Sequence, residues 1–141
     1  MRQKVFDIGD ITVNQDCYNA SPESMRASIA VLSNTVRQRG YGRMAALLGD
    51  MYELGQCSDS AHEGVGLEFA RRGGNMLFPY GSLADGIANG AVLGGMDTRN
   101  VFRNADISSP EISGEMIIST LKKGDMLLVK GSRGVKAEKV I

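Results

Sequence analysis

Short apolar runs, each closed by turn residues and each separated from the next by a helix-length stretch, constrain this chain most. Met44-Ala45-Ala46-Leu47-Leu48 ends at Gly49-Asp50, and Met76-Leu77-Phe78 ends at Tyr80-Gly81. Met126-Leu127-Leu128-Val129 gives way to the loop Gly131-Ser132-Arg133-Gly134. Runs this short and this apolar read as strands covered on both faces. Strand alternating with helix predicts an α/β fold with a mostly parallel sheet.

The local signals are explicit. Val5-Phe6-Asp7-Ile8 and Ile11-Thr12-Val13-Asn14 flank Gly9-Asp10, which predicts a β-hairpin adding an antiparallel strand at one edge. Ser21 reads as an N-cap and Pro22 as the first helical residue, since its missing N–H costs nothing there. Met25, Ile29, Leu32 and Val36 then recur at helical spacing, and Gly40 is the expected stop. Further helices are expected from Ser58-Asp59 to Arg72, from Ser82 to Leu93, and from Ser109-Pro110-Glu111 to Gly124, with a short strand at Val101-Phe102.

Length and composition fit one domain with an ordinary core. Formal charge is balanced, at 16 basic and 16 acidic residues, which argues against a nucleic-acid groove. No apolar run approaches the roughly 20 residues of a membrane span. Cys17 and Cys57 form no framework, and a reducing cytoplasm is the expected compartment. Arg2 follows the initiator without a lead-in and the chain stops at Val140-Ile141, so both ends are expected to be cuts from something longer.

Asp16-Cys17-Tyr18-Asn19 lies where a strand gives way to a helix, the position at which ligands dock in open α/β sheets. A carboxylate accepts sugar hydroxyls, a phenol stacks on a base, and an amide pairs with a base edge. Lys130, Ser132 and Arg133 follow the best strand, where two cations and a hydroxyl suit a carboxylate or phosphate. Gly40-Tyr41-Gly42 precedes a strand, the wrong context for a dinucleotide fingerprint, and Lys130-Gly131-Ser132 lacks the glycines of a phosphate loop. His62 has no second histidine at a metal-binding spacing, and no metal site is expected. Asp50 and Glu53 fit turn and helix-start caps better than ligands.

Three blocks carry a family resemblance. They are Asp16 to Met25, then Leu48-Gly49-Asp50-Met51-Tyr52-Glu53-Leu54-Gly55 with His62 and Val65-Gly66, then Leu128 to Gly134. Together they resemble the C-terminal domain of the Mur ligases, within the branch that joins D-Ala-D-Ala to UDP-MurNAc-tripeptide. Gln15-Asp16 stands where many relatives carry two acids, and Ser21 where they carry Asn.

The resemblance implies a Rossmann-like three-layer sandwich over residues 1–141, without the N-terminal and central ATPase domains. It implies an ATP-dependent carboxylate–amine ligase of peptidoglycan and cell-wall biogenesis, tied to cell shape and division, that works through an acyl phosphate. ATP and magnesium would be gripped mainly by the missing central domain, with no catalytic residue in this one. Asp16, Tyr18, Asn19 and Arg2 are implied on the ATP side, and Lys130, Ser132, Arg133 and His62 on the substrate side. Two alternatives stay open: another Mur-type amino-acid ligase domain, and a non-catalytic α/β binding module. A free-standing Rossmann oxidoreductase requires a glycine fingerprint between Val13 and Ser21, and none is there.

Overall fold

The computed structural model describes residues 3–16, 20–103 and 110–132. The chain opens with the hairpin β1 (Lys4–Ile8) and β2 (Ile11–Asp16), and Gly9 supplies the positive φ of 58° that the tight turn needs. Helix α1 (Pro22–Arg39) follows, then β3 (Met44–Gly49), α2 (Ser58–Arg71), β4 (Met76–Tyr80) and α3 (Asp85–Leu93). Helix α4 (Pro110–Thr120) and strand β5 (Met126–Lys130) complete the described elements. A 3-10 turn at Gly55–Cys57 leads into α2.

The strand order is β1-β2-β5-β3-β4, parallel except for the β1–β2 pair. This is the α/β sheet with an antiparallel edge strand that the sequence predicts. Central β3 and β5 are buried at every residue. Pro79 is tolerated in β4 because that strand is an edge. Beyond β4 the expected strand at Val101-Phe102 shrinks to one bridge with Leu77, sealed by the Phe102 N–H donating to Leu77 O.

Alternation along the strands splits the core into two. Met44, Ala46, Leu48, Met126 and Leu128 face α1, α2 and α3, where Met25, Ile29, Leu32, Val65, Phe69, Ile87 and Ala91 pack on them. Val13, Ala45, Leu47, Leu127 and Val129 face the other way, toward Ile117 of α4 and Leu121 beyond it.

Helix α1 begins and ends as its sequence dictates. Ser21 Oγ accepts from the Ser24 N–H, Ser24 Oγ accepts from the Ser21 N–H, and Gly40 closes the helix in the left-handed region. Helices α2 and α3 meet backbone to backbone. A Cβ on Gly66 would sit 1.8 Å from Ile87 O, and one on Gly90 would sit 1.9 Å from Glu63 O.

Helix α3 starts later than predicted, at Asp85 rather than near Ser82. Residues 82–84 form a turn in which the Ala84 N–H donates to Gly81 O, and the Leu83 N–H, which lies too early for an intrahelical acceptor, donates to Asp50 Oδ1 at 2.8 Å.

Candidate functional site at the C-terminal rim of the sheet

Parallel strands that start together also end together, so β2, β3 and β5 deliver Asp16, Asp50 and Lys130 to one rim. Asp16 and Lys130 are register partners on adjacent strands. Lys130 Nζ lies 2.8 Å from Asp16 Oδ2, and Ser28 Oγ from α1 donates to the same oxygen at 3.2 Å. The lysine side chain is 2% exposed and the aspartate 24%. The ammonium is therefore withdrawn beneath the rim, while the carboxylate reaches solvent.

Asp50 ties the rim together. Its N–H donates to Tyr80 O at the end of β4, and its carbonyl accepts from the Ser132 N–H beyond β5. Its carboxyl accepts from the Leu83 N–H, with Ser82 Oγ at 3.5 Å. Burial pushes the Asp50 carboxyl above its usual pKa, and the Leu83 and Ser82 hydrogen bonds offset only part of that. Gly81 leaves room for this carboxyl: it holds φ 122°, and a Cβ there would lie 2.4 Å from Asp50 Cγ.

The next residues continue the knot. The Tyr52 N–H donates to Ser132 Oγ at 2.9 Å, and the Met51 N–H donates to His62 Nε2 at 2.9 Å. His62 is buried, and its Nδ1 lies 2.7 Å from Ser58 O. Glu53 adopts a left-handed φ of 64°, uncommon for a residue with a side chain, as the loop turns toward Gly55.

A cavity of about 510 Å³ lies at the opposite edge of the sheet, lined in part by Asp7, Asp10, Arg39, Tyr41 and Lys123. It borders the starts of the parallel strands, whereas ligands of this architecture sit beyond the strand ends.

The family model described as "Mur ligase, glutamate ligase domain" matches residues 1–133. The chain belongs to the Mur ligase family. The UDP-N-acetylmuramoyl-tripeptide–D-alanyl-D-alanine ligase of Bacillus subtilis is 32% identical over 131 residues, 93% of this chain and 27% of that protein. The ligase of the same name from Rickettsia prowazekii is 28% identical over 99% of this chain and 29% of its own length. The chain thus spans between a quarter and a third of the length of these relatives. Among solved structures, the MurF ligase of Thermotoga maritima in complex with ADP aligns with a TM-score of 0.74 and 28% identity, covering 96% of this chain and 28% of that one. MurF from Acinetobacter baumannii aligns with a TM-score of 0.75 at 24% identity, over 97% of this chain and 28% of that one, a likeness of fold.

Within this Mur ligase domain the predicted site residues fall into three groups. Asp16 and Lys130 come together at the rim. Ser132 and His62 also reach it, but each is already bonded to the 50–52 segment. Arg2, Tyr18, Asn19 and Arg133 lie outside the described residues. Sequence reasoning missed Ser28, whose only signal is its place one turn before Leu32 on the buried face of α1. It also missed the convergence of Asp50, Ser82 and Ser132, which depends on strand order and leaves no local trace.

Proposed function

We propose that this chain is the C-terminal domain of an ATP-dependent ligase that joins D-Ala-D-Ala to UDP-MurNAc-tripeptide, and that it does not catalyse alone. The observation that carries this reading is the 32% identity over 93% of the chain to a ligase of that name. The rim chemistry supports it. Among the described residues both contacts to Asp16 fall on Oδ2, which leaves Oδ1 to accept from a nucleotide sugar.

ATP, when bound, supplies the phosphoryl group that turns the peptide carboxylate into an acyl phosphate, from which the amine of D-Ala-D-Ala displaces phosphate. The residues of this domain bind and orient. Asp16 takes ribose hydroxyls, Tyr18 and Asn19 meet the base, and Arg2 reaches the phosphates. Lys130, Ser132 and Arg133 receive the dipeptide, and His62 serves them through the loop it holds. The phosphate loop, magnesium and the first attack belong to the central domain, and closure of this domain over the nucleotide excludes water.

No helix among the described residues is long and apolar enough to cross a membrane, and the reading places the enzyme in the cytoplasm. The test is phosphate release with ATP, UDP-MurNAc-tripeptide and D-Ala-D-Ala, using this chain and the complete ligase that carries it. The chain alone should release none. In the complete ligase, Asp16→Ala should raise the KM for ATP about tenfold, the scale of a lost bond to a charged acceptor. Turnover by the chain alone, or an unchanged KM, overturns the reading.

A further inference from the structure

The tautomer of His62 follows from its neighbours. The Met51 backbone N–H is a donor only, so Nε2 must accept and carry no proton. The proton of the neutral ring then sits on Nδ1, where Ser58 O accepts it at 2.7 Å. Both ring nitrogens are thereby used by the backbone, one by the first turn of α2 and one by the loop after β3.

That loop is in turn bound to the one after β5. Ser132 N–H donates to Asp50 O at 2.8 Å, and Ser132 Oγ accepts from the Tyr52 N–H at 2.9 Å. Asp50, Met51 and Tyr52 are consecutive, so the two peptide groups that join them are pinned between His62 and Ser132. Met51 is wholly buried, and its N–H has no water to replace a lost imidazole.

We infer that His62 is a positioning residue: held in its Nδ1–H tautomer, it clamps Met51 and so fixes the 50–52 segment against which Ser132 is seated. Calling Ser132 part of a substrate rim rests on the ligase reading above, but the clamp itself does not.

The first test needs only this chain. In ¹⁵N-labelled protein at neutral pH, the imidazole should show a protonated Nδ1 and a bare Nε2. His62→Phe should speed hydrogen exchange at the Met51 amide by about tenfold or more, since a buried donor loses its acceptor. It should also shift the Tyr52 and Ser132 amides, while Ala45 and Leu127 in the central strands stay protected and report an intact fold. His62→Gln, whose amide oxygen can accept where Nε2 did, should restore slow exchange at Met51. A proton on Nε2, an unmoved Ser132 amide in the Phe variant, or a Gln variant as fast as the Phe variant overturns the clamp.

The second test uses the complete ligase. His62→Phe should raise the KM for D-Ala-D-Ala more than it lowers kcat, with His62→Gln closer to wild type. A wild-type enzyme that does not ligate sinks the functional reading and leaves the clamp standing. A ligating enzyme whose KM ignores His62→Phe sinks the link between clamp and rim.

Discussion

Lys130 and Asp16 end neighbouring parallel strands, and the buried ammonium of one meets the half-open carboxylate of the other at 2.8 Å. The pair is lopsided. Removing the lysine leaves a carboxylate that Ser28 and water can satisfy. Removing the aspartate takes the carboxylate from a cation that water barely reaches.

Asp16→Ala should destabilise the domain by about 2 kcal/mol, because it takes an acceptor from both the Lys130 ammonium and the Ser28 hydroxyl. Urea unfolding checks this, and a wild-type midpoint would contradict it. The same contacts bear on activity assays, because a rate lost in Asp16→Ala carries a structural component. Asp16→Asn, which keeps an acceptor for Ser28, separates the two effects.

Asp125 should govern acid sensitivity. It lies at the mouth of β5, where burial opposes its charge but the Arg43 side chain and the Lys122 and Arg43 N–H groups outweigh burial. Its carboxyl is held below the usual 3.8. A depressed folded pKa gives stability that is present above the unfolded value and lost as pH falls through the folded one. Asp125→Asn should cost about 1 kcal/mol at neutral pH and progressively less as pH falls below the usual 3.8, measured by denaturant titration at neutral and acid pH.

Asp50 should show the opposite slope. Its folded pKa is raised, so the fold favours the protonated form, and its contribution falls as pH rises through that value. Asp50→Asn keeps an oxygen for the Leu83 N–H and cannot ionise. It should be better tolerated at neutral pH than near pH 3. Parallel pH dependences for the Asp50 and Asp125 variants would contradict the assignment of either environment.

Gly90→Ala should destabilise by about 2 kcal/mol, the scale of overpacking a closed interior. The added methyl would meet Glu63 O, a backbone atom that can move only with its helix. An alanine variant that melts with wild type would mean that α2 and α3 separate easily.

Much of this architecture is written locally. Ser21, Pro22 and Gly40 delimit α1 because capping and φ preference act within a few residues of the chain. The apolar runs place β3, β4 and β5 because burial on both faces leaves no alternation to misread. What was not legible depends on strand order. Asp16 and Lys130 are 114 residues apart and become partners only once β5 inserts between β2 and β3. Ser82 looks like a helix start, and nothing nearby in sequence shows that Asp50 will arrive from another strand to accept from the Leu83 N–H. His62 resembles a surface histidine in one dimension, since nothing nearby in sequence announces that Met51 will need an acceptor. Asp50 itself behaves as the residue types suggested, as a cap, although the turn it caps lies more than 30 residues downstream.

The glycine contact between α2 and α3 has a consequence for how the domain tolerates sequence drift. Where side chains separate two helices, every substitution resets their spacing. Here peptide groups set it, and it holds whatever the neighbouring side chains become, so long as Gly66 and Gly90 stay glycine. A Cβ on Gly86 would lie only 2.9 Å from His62 Cβ, so the same contact reaches the residue that holds Met51. The spacing behind the rim is thus built from the one part of the chain that is common to all residues, and the cores on either side can vary around it.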